Sequence, residues 1–540
     1  MHVVFNREML ALREATNLIK RVSTPSVTIG AHRLLSRLIL MSLGQSVETA
    51  YKAWQQSRRL FFTVLDAGVS EGAGLLAMLQ AFTSIHAQQA NTHFARPRPR
   101  LRLLAVLDTQ RNCPDELTGH LATALAEQWP LPVDGLHHIA LKEQGLELTL
   151  FFGPRKAGLQ EFQAVAVDAV VAEGHAAQYS KRVNIQADRV HQQARRVAVV
   201  GAGIAGSAVA RALCELNIEV NLYDTAPGPA RGASGNWVGA FHPHITRGDS
   251  PLSKLSRLGY EHTVQALTQL THAGLLVKGQ DWDTPGHLQT VPNNEAARTQ
   301  DTLRMLNFPT GLVQWHGPQT CLPTPHGGLF FPGGGWVKPA RWVQANLKAC
   351  GALLHTHYEH AVVDMESLLD GHDAVVVCAA QHSLALAPVQ GAKVGEVKGQ
   401  ISKIKRLAPL NCVLSGESYA IAPPQEDWMV LGATYERPAT DLIPTAQADA
   451  ENLARFNAAF PDWPVGELLD HRCAVRFVWH DRLPAIGPVP GSPNVYMSTG
   501  FASRGLLWAA LGAWAVAAHC AGQPMDLRLT SRIKPRGAPV

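Results

Sequence analysis

The stretch from Arg196 to Asp224 constrains this 540-residue chain more than any other. Residues 196–200 are a short valine-rich run, as a buried parallel strand requires. Gly201, Gly203 and Gly206 follow in G-x-G-x-x-G spacing, and a helix of small and apolar residues runs from Ser207 to Leu216. Ile218 to Tyr223 reads as a second strand that ends on Asp224. Each part has a physical task. Gly201 permits the tight turn, Gly203 lets a pyrophosphate approach the backbone, and Gly206 lets helix and strand pack closely. The helix N-terminus, at Ile204 and Ala205, offers N–H groups and a positive dipole end to phosphates. Asp224 stands about 20 residues on, where a carboxylate accepts hydrogen bonds from a ribose hydroxyl. A bare glycine pattern also fits an ordinary α/β turn. Strand, helix, second strand and terminal acid in order point to a dinucleotide site.

The same layout occurs earlier. Residues 60–65 read as a strand, a turn carrying Gly68 and Gly72 leads into a helix from Leu75 to Phe82, and residues 101–107 form a second strand ending on Asp108. This is the pattern of a nucleoside-binding α/β fold, and S-adenosylmethionine sites use such a turn with such an acid. The other reading is an α/β domain without ligand, because Ser70 and Glu71 stand where small residues are expected. Residues 1–60 are helical in pattern and chemically quiet. The prolines and arginines of 95–102 favour an extended, solvated loop. Residues 148–152 and 165–171 read as later strands, and a polar stretch follows. The expected division is a first domain over 1–174, a linker over 175–195, a second domain over 196–530 and a tail over 531–540.

In the second domain, Arg231, Ala233 and Ser234 lie in a small-residue loop suited to run beneath a cofactor, with Gly239 just after it. Strands over 358–363, containing Val362, and over 373–378, leading to Ala379, are expected to close the cofactor sheet. Short strands over 285–335 and 398–474 suggest an antiparallel substrate domain inserted into the nucleotide fold. A loop with Ser503, Gly505 and Leu506 precedes an apolar helix over 505–521, too short and too rich in Ala and Gly for a membrane span. His242 and His244 are acid/base candidates, although lone histidines are more often packing or surface residues. The fold class is therefore α/β, with a Rossmann-like domain before a Rossmann-type domain that carries an insertion.

Composition narrows the setting. A formal charge of +5 permits an anionic partner such as RNA without demanding one. Eight cysteines without a C-x-x-C pair argue against a zinc site or a disulfide framework and fit a reducing compartment. The N-terminus lacks the order of a signal peptide, so a cytoplasmic protein is expected.

Gly201–Gly206, Gly232–Asn236, Phe331–Trp336, Lys398–Gln400, Gly432–Tyr435, Asp481–Pro484 and Ser503–Leu506 together resemble the MnmC family of bacterial tRNA-modifying enzymes, over residues 195 to about 530. This half also resembles the glycine oxidase and D-amino-acid oxidase flavoproteins. The resemblance implies bound FAD and oxidation of the carboxymethylaminomethyl side chain of the tRNA wobble uridine, a glycine attached to the base through its nitrogen. Oxidation at the glycine α-carbon gives an imine, which hydrolyses to glyoxylate and an aminomethyl group. Arg476 matches the arginine that clamps the substrate carboxylate in glycine oxidases, a task suited to a guanidinium fork. Ser503, Arg504 and Gly505 are implied near the flavin's pyrimidine edge, where positive charge stabilises the reduced anion.

The first half resembles the family's S-adenosylmethionine-dependent methyltransferase domain less closely. The family has a Gly-x-Gly-Thr-Gly type turn where this chain has Asp66 to Gly72, and an Asp-Gly-Phe motif where it has Ala172–His175. A family segment with Asn-Pro and Trp has no counterpart before the linker. The resemblance thus implies an incomplete methyltransferase-like domain in which methyl transfer is weak or lost. Two other readings are an oxidase of a free small amine such as glycine or sarcosine, and a flavoprotein that binds without catalysis.

Overall fold

The computed structural model describes residues 61–66, 75, 76, 78, 79, 100–108, 112–171 and 193–537, less 116, 118, 143, 318–325, 438, 440 and 462. The expectations for residues 1–60, for the turn with Gly68 and Gly72, for the arginines before Arg100 and for most of the linker lie outside these residues. The described chain falls into two units. Residues up to Gln193 join Ala521–Arg528, and Ala194–Cys520 joins the residues from Leu529 onward.

The first unit is built on a five-stranded sheet in the order β3-β4-β2-β1-β5. Its strands are β1 (Phe61–Asp66), β2 (Arg100–Leu107), β3 (Gly135–Leu141), β4 (Leu146–Phe152) and β5 (Ala169–Val171). Only β3 runs antiparallel to its neighbour. Val64, Leu103, Leu125 and Leu148 meet in its core. β5 pairs only with Val64–Asp66, which leaves the backbone of Phe61 free of a strand partner on that side. The side-chain amide of Gln523 takes that place: its Oε1 accepts from Phe61 N–H and its Nε2 donates to Phe61 C=O, each at 2.9 Å. Arg102, buried over the Phe61 ring, bonds Glu147 at 3.0 Å and donates to the Gln523 carbonyl at 3.3 Å. Arg528 adds backbone and side-chain bonds to Glu161 and Gln160, each at 3.1 Å, and no hydrophobic period announces this return of the chain.

The second unit holds the dinucleotide pattern. β6 (Arg196–Val200), β7 (Glu219–Tyr223), β14 (Leu354–His357), β15 (Ala374–Val377) and β22 (Val495–Thr499) are parallel, in the order β14-β7-β6-β15-β22, with β21 (Ala485–Pro488) antiparallel at the edge. The valines of the central strands β6 and β15 are buried on both faces, as a covered parallel sheet demands. The expected strand over 358–363 is corrected: the strand lies at Leu354–His357. Glu359 adopts a positive φ of 55°, which ends the extended run, and Val363 is 91% exposed.

The inserted antiparallel domain is an eight-stranded sheet in the order β11-β12-β10-β17-β18-β19-β16-β20. These strands are β10 (His287–Thr290), β11 (Gln314–His316), β12 (Gly328–Phe331), β16 (Val394–Arg406), β17 (Val413–Ser415), β18 (Tyr419–Ile421), β19 (Trp428–Gly432) and β20 (Val465–Trp479). Only the β10–β17 pair is parallel. A small sheet of β8 (Gly239–Phe241), β13 (Gly335–Val337) and β9 (Trp282–Asp283) completes the unit.

Three helices position the site: α1 (Ile204–Cys214), α2 (Pro251–His272) and α3 (Gly505–Cys520). α3 is apolar all round and is buried against α1, α2 and the edge of the parallel sheet, as such a helix must be. Among the described residues no helix is long and apolar enough to cross a membrane.

Candidate active site

The glycine turn is fixed from three sides. Gly201 has φ +110°, and a Cβ there would lie 2.5 Å from the Cys378 carbonyl oxygen. A Cβ on Gly206 would lie 1.8 Å from the Gly201 oxygen, so α1 closes onto the turn only because that atom is missing. Asp224 holds the turn by accepting from Ala202 N–H at 2.6 Å and Ala226 N–H at 2.8 Å. Each of its carboxylate oxygens keeps a further lone pair, the capacity a ribose hydroxyl needs. The Ile204 N–H donates to Ser234 Oγ at 2.9 Å, which joins the start of α1 to the loop over 230–236.

A cavity of about 460 Å³ opens beside this turn, a size usual for small-molecule sites. Ile204, Ala233, Ser234 and Gly239 line it from the nucleotide side, and Ser503, Arg504, Gly505 and Leu506 from the start of α3. Arg476 lines it from β20. Two long helices therefore begin at one cavity, and both dipoles favour negative charge there. Gly201, Gly203, Ala205, Gly206 and Asp224 build the turn without lining the cavity. Arg231 is exposed. Ala379 follows β15 beside Gly201, and Val362 packs on the core around Val375 and Val377. In the first unit Asp108 is exposed at the end of β2.

Among the described residues Arg476 is held by a carbonyl and a ring, with no carboxylate partner. Its Nη1 donates to the Thr434 carbonyl at 3.1 Å, and its guanidinium lies 4.5 Å from the Tyr435 ring centre. It folds over Gly399 on the neighbouring strand, where a Cβ would come within 2.1 Å of Nη1. The residues beside Gly399 have other tasks. Lys398 reaches Asp441 at 2.9 Å and Glu436 at 3.3 Å, which ties down the loop after β19. Gln400 exchanges two 2.8 Å hydrogen bonds with the backbone of Thr445. Burial pushes the Tyr419 phenol well up, with Arg476 pulling it partly back, so it stays protonated in the cavity wall.

Two histidines named from the sequence meet one that was not. His242 and His244 line the cavity, as does His287 from β10. The His242 ring packs 4.0 Å from His287 and 4.7 Å from Phe331 between ring centres. Burial pushes His242 down to about 4, with His244 and Arg504 adding to it. Burial, then Arg504, brings His244 to about 4. All three rings are neutral at pH 7. Their distance in sequence hid the cluster, since His287 comes from the inserted sheet. Arg472 gave no signal either: on β20 it donates to the carbonyls of Gly232 at 2.6 Å and Arg231 at 3.0 Å and to Asn236 Oδ1 at 3.2 Å. It thereby clasps the loop that carries Ala233 and Ser234. Arg472→Ala is expected to weaken FAD binding about tenfold, the loss of roughly one net charge-assisted contact in a half-exposed place. Fluorescence titration of apoprotein with FAD measures it.

The sequence profile of the family described as "FAD dependent oxidoreductase" matches residues 196–519. Among curated relatives, the tRNA 5-methylaminomethyl-2-thiouridine biosynthesis bifunctional protein MnmC of Burkholderia cenocepacia is 30% identical, over 88% of this chain and 88% of its own. The protein of the same name from Thiobacillus denitrificans is 29% identical, over 86% and 88%. Among solved structures, glycine oxidase from Geobacillus kaustophilus superimposes with a TM-score of 0.55 at 20% identity, covering 63% of this chain and 98% of that one. That likeness concerns the fold.

Proposed function

Because this chain belongs to the FAD-dependent oxidoreductase family and, along most of its length, to the MnmC proteins, we propose that it oxidises the carboxymethylaminomethyl group of uridine at the tRNA wobble position and releases the aminomethyl form. The observation that carries the reading is the placement of Arg476: a guanidinium with no carboxylate partner among the described residues, folded over Gly399, in a cavity shared with the glycine-turn helix and the start of α3.

The residues present fit FAD. The tight turn at Gly201–Gly206 presents Gly203 with no side chain, where a Cβ would meet only Ser234, and Asp224 retains lone pairs beside it. Bound FAD supplies the two-electron oxidant. The chain's own residues do the rest. Arg476 takes the substrate carboxylate through its remaining N–H groups and fixes its plane. Arg504 and the two helix starts keep the cavity positive, which favours that carboxylate and any negative charge that develops on oxidation. The apolar wall of Phe241, Leu506 and Leu507 excludes water from the oxidised carbon. The imine product then hydrolyses to glyoxylate and the aminomethyl base. We place this chemistry in the cytoplasm, where tRNA is. For the first unit we propose a scaffold role with S-adenosylmethionine-dependent methyl transfer weak or absent.

The test mixes the FAD-loaded full chain, without oxygen, with tRNA bearing carboxymethylaminomethyl-uridine. The flavin band is expected to bleach, and nucleoside mass spectrometry to show loss of the carboxymethyl unit. Bleaching by sarcosine or glycine but not by the tRNA would overturn the reading. Added S-adenosylmethionine is expected to give no methylated nucleoside.

A further inference from the structure

We propose that His242 is a substrate contact: its Nε2 accepts a hydrogen bond from the secondary amine N–H of the substrate and so orients the nitrogen lone pair toward the carbon being oxidised. This rests on the oxidation proposed above and adds a residue to it.

The tautomer follows from one contact. His242 Nδ1 lies 2.8 Å from the Pro243 carbonyl oxygen, which only accepts, so Nδ1 carries the proton. In a neutral ring Nε2 then has a lone pair and no hydrogen. That nitrogen has no hydrogen-bond partner among the described residues, and the side chain lines the cavity. The cavity thus contains a fixed acceptor in search of a donor.

The ring is turned toward the substrate sheet. It packs at a tilt of 50° against His287, whose Nε2 lies 2.6 Å from Ser415 Oγ. Both of those residues stand in the eight-stranded sheet that carries Arg476. His242 itself comes from the loop after β8, so it reaches from the small sheet to the eight-stranded one and lines the same cavity as Arg476. An N-substituted glycine presents one carboxylate and, two bonds from its carboxyl carbon, one N–H. In one cavity, Arg476 offers donors to the carboxylate and His242 an acceptor to the N–H.

The charges nearby favour the uncharged amine. Arg476 and Arg504 are cationic, His244 and His287 are neutral, and the one carboxylate lining the cavity, Glu417, is exposed. A secondary ammonium would bring two N–H groups to a single acceptor in a cationic cavity. The neutral amine brings one, keeps its lone pair, and is the form able to lose hydride. Its proton leaves to solvent before binding.

The experiment compares two substrates on the full FAD-loaded chain: the carboxymethylaminomethyl nucleoside in tRNA and its N-methylated counterpart, which has no N–H. Stopped-flow bleaching without oxygen gives the limiting rate, and titration of pre-reduced protein gives affinity without turnover. Wild type is expected to bleach about tenfold more slowly with the N-methylated substrate. His242→Phe, which keeps a ring and loses the acceptor, is expected to slow the N–H substrate about tenfold and leave the N-methylated one unchanged. His242→Gln, which restores an acceptor, is expected to recover most of the rate. FAD affinity and the oxidised flavin spectrum stay as in wild type. Equal wild-type rates on both substrates would overturn the contact even if no variant folds. Loss of FAD affinity in His242→Phe would also overturn it, by making the ring a flavin contact, as would equal slowing of both substrates. Wild type that fails to bleach with either tRNA overturns the proposed function, and the contact with it.

Discussion

Arg476→Ala is expected to lower kcat/KM on the modified tRNA by about 10²-fold while the protein stays yellow. The guanidinium lies in a partly enclosed cavity, and truncating one side of a hydrogen-bonded charge pair there costs about 3 kcal/mol. The Thr434 carbonyl and the Tyr435 ring hold the side chain from the protein side, so its loss leaves the glycine turn untouched. Arg476→Lys should recover only part of the activity, because a point charge lacks the planar fork. Gly399→Ala should produce much the same defect with the arginine intact, since the added carbon would lie 2.1 Å from Nη1. Steady-state kinetics beside a flavin absorption spectrum separates these results from cofactor loss. A wild-type rate in Arg476→Ala would end the substrate assignment and leave the cofactor assignment standing.

The second large effect concerns the cofactor itself. Gly206→Ala is expected to give colourless protein with a lowered melting temperature. Its methyl group would lie 1.8 Å from the Gly201 oxygen, far inside contact distance, so the turn must open or α1 must shift. Overpacking of backbone against backbone relaxes poorly, and a cost of about 3 kcal/mol or more follows. Gly203→Ala is the informative comparison. There the added carbon meets only Ser234 Oγ at 3.1 Å, so the fold should survive while FAD affinity falls on the ligand side. Thermal melting and FAD titration of both variants distinguish a broken turn from a blocked one.

The nucleotide-binding strands and α1 were readable because every element lies within about thirty residues and obeys a local rule. The buried helix α3 was readable for a similar reason: it is apolar on all sides and short. The strand at Leu354–His357 was not, because two histidines and a threonine interrupt its pattern while the valines at 362 and 363 imitate one. Arg476 emerged through resemblance, not through any period in the sequence. The histidines at 242, 244 and 287 and the clasp by Arg472 depend on contacts between the inserted sheet and the nucleotide side. Such contacts leave no trace in spacing. Lys398–Gln400 shows the same limit from the other direction: three adjacent residues were legible as a motif, but their separate partners appear only in the fold.

The amide of Gln523 on the backbone of Phe61 makes the two halves of this polypeptide inseparable by a single cut. Scission near Gln193 would leave the amino-terminal piece without the eight residues that belong to its unit, and would leave those residues stranded on the other piece. Deleting the front of the reading frame would likewise strand Ala521–Arg528 without the strands it reaches. Dissection of the two halves calls for carrying Ala521–Arg528 along with the first, by circular permutation or by supplying the segment as a peptide.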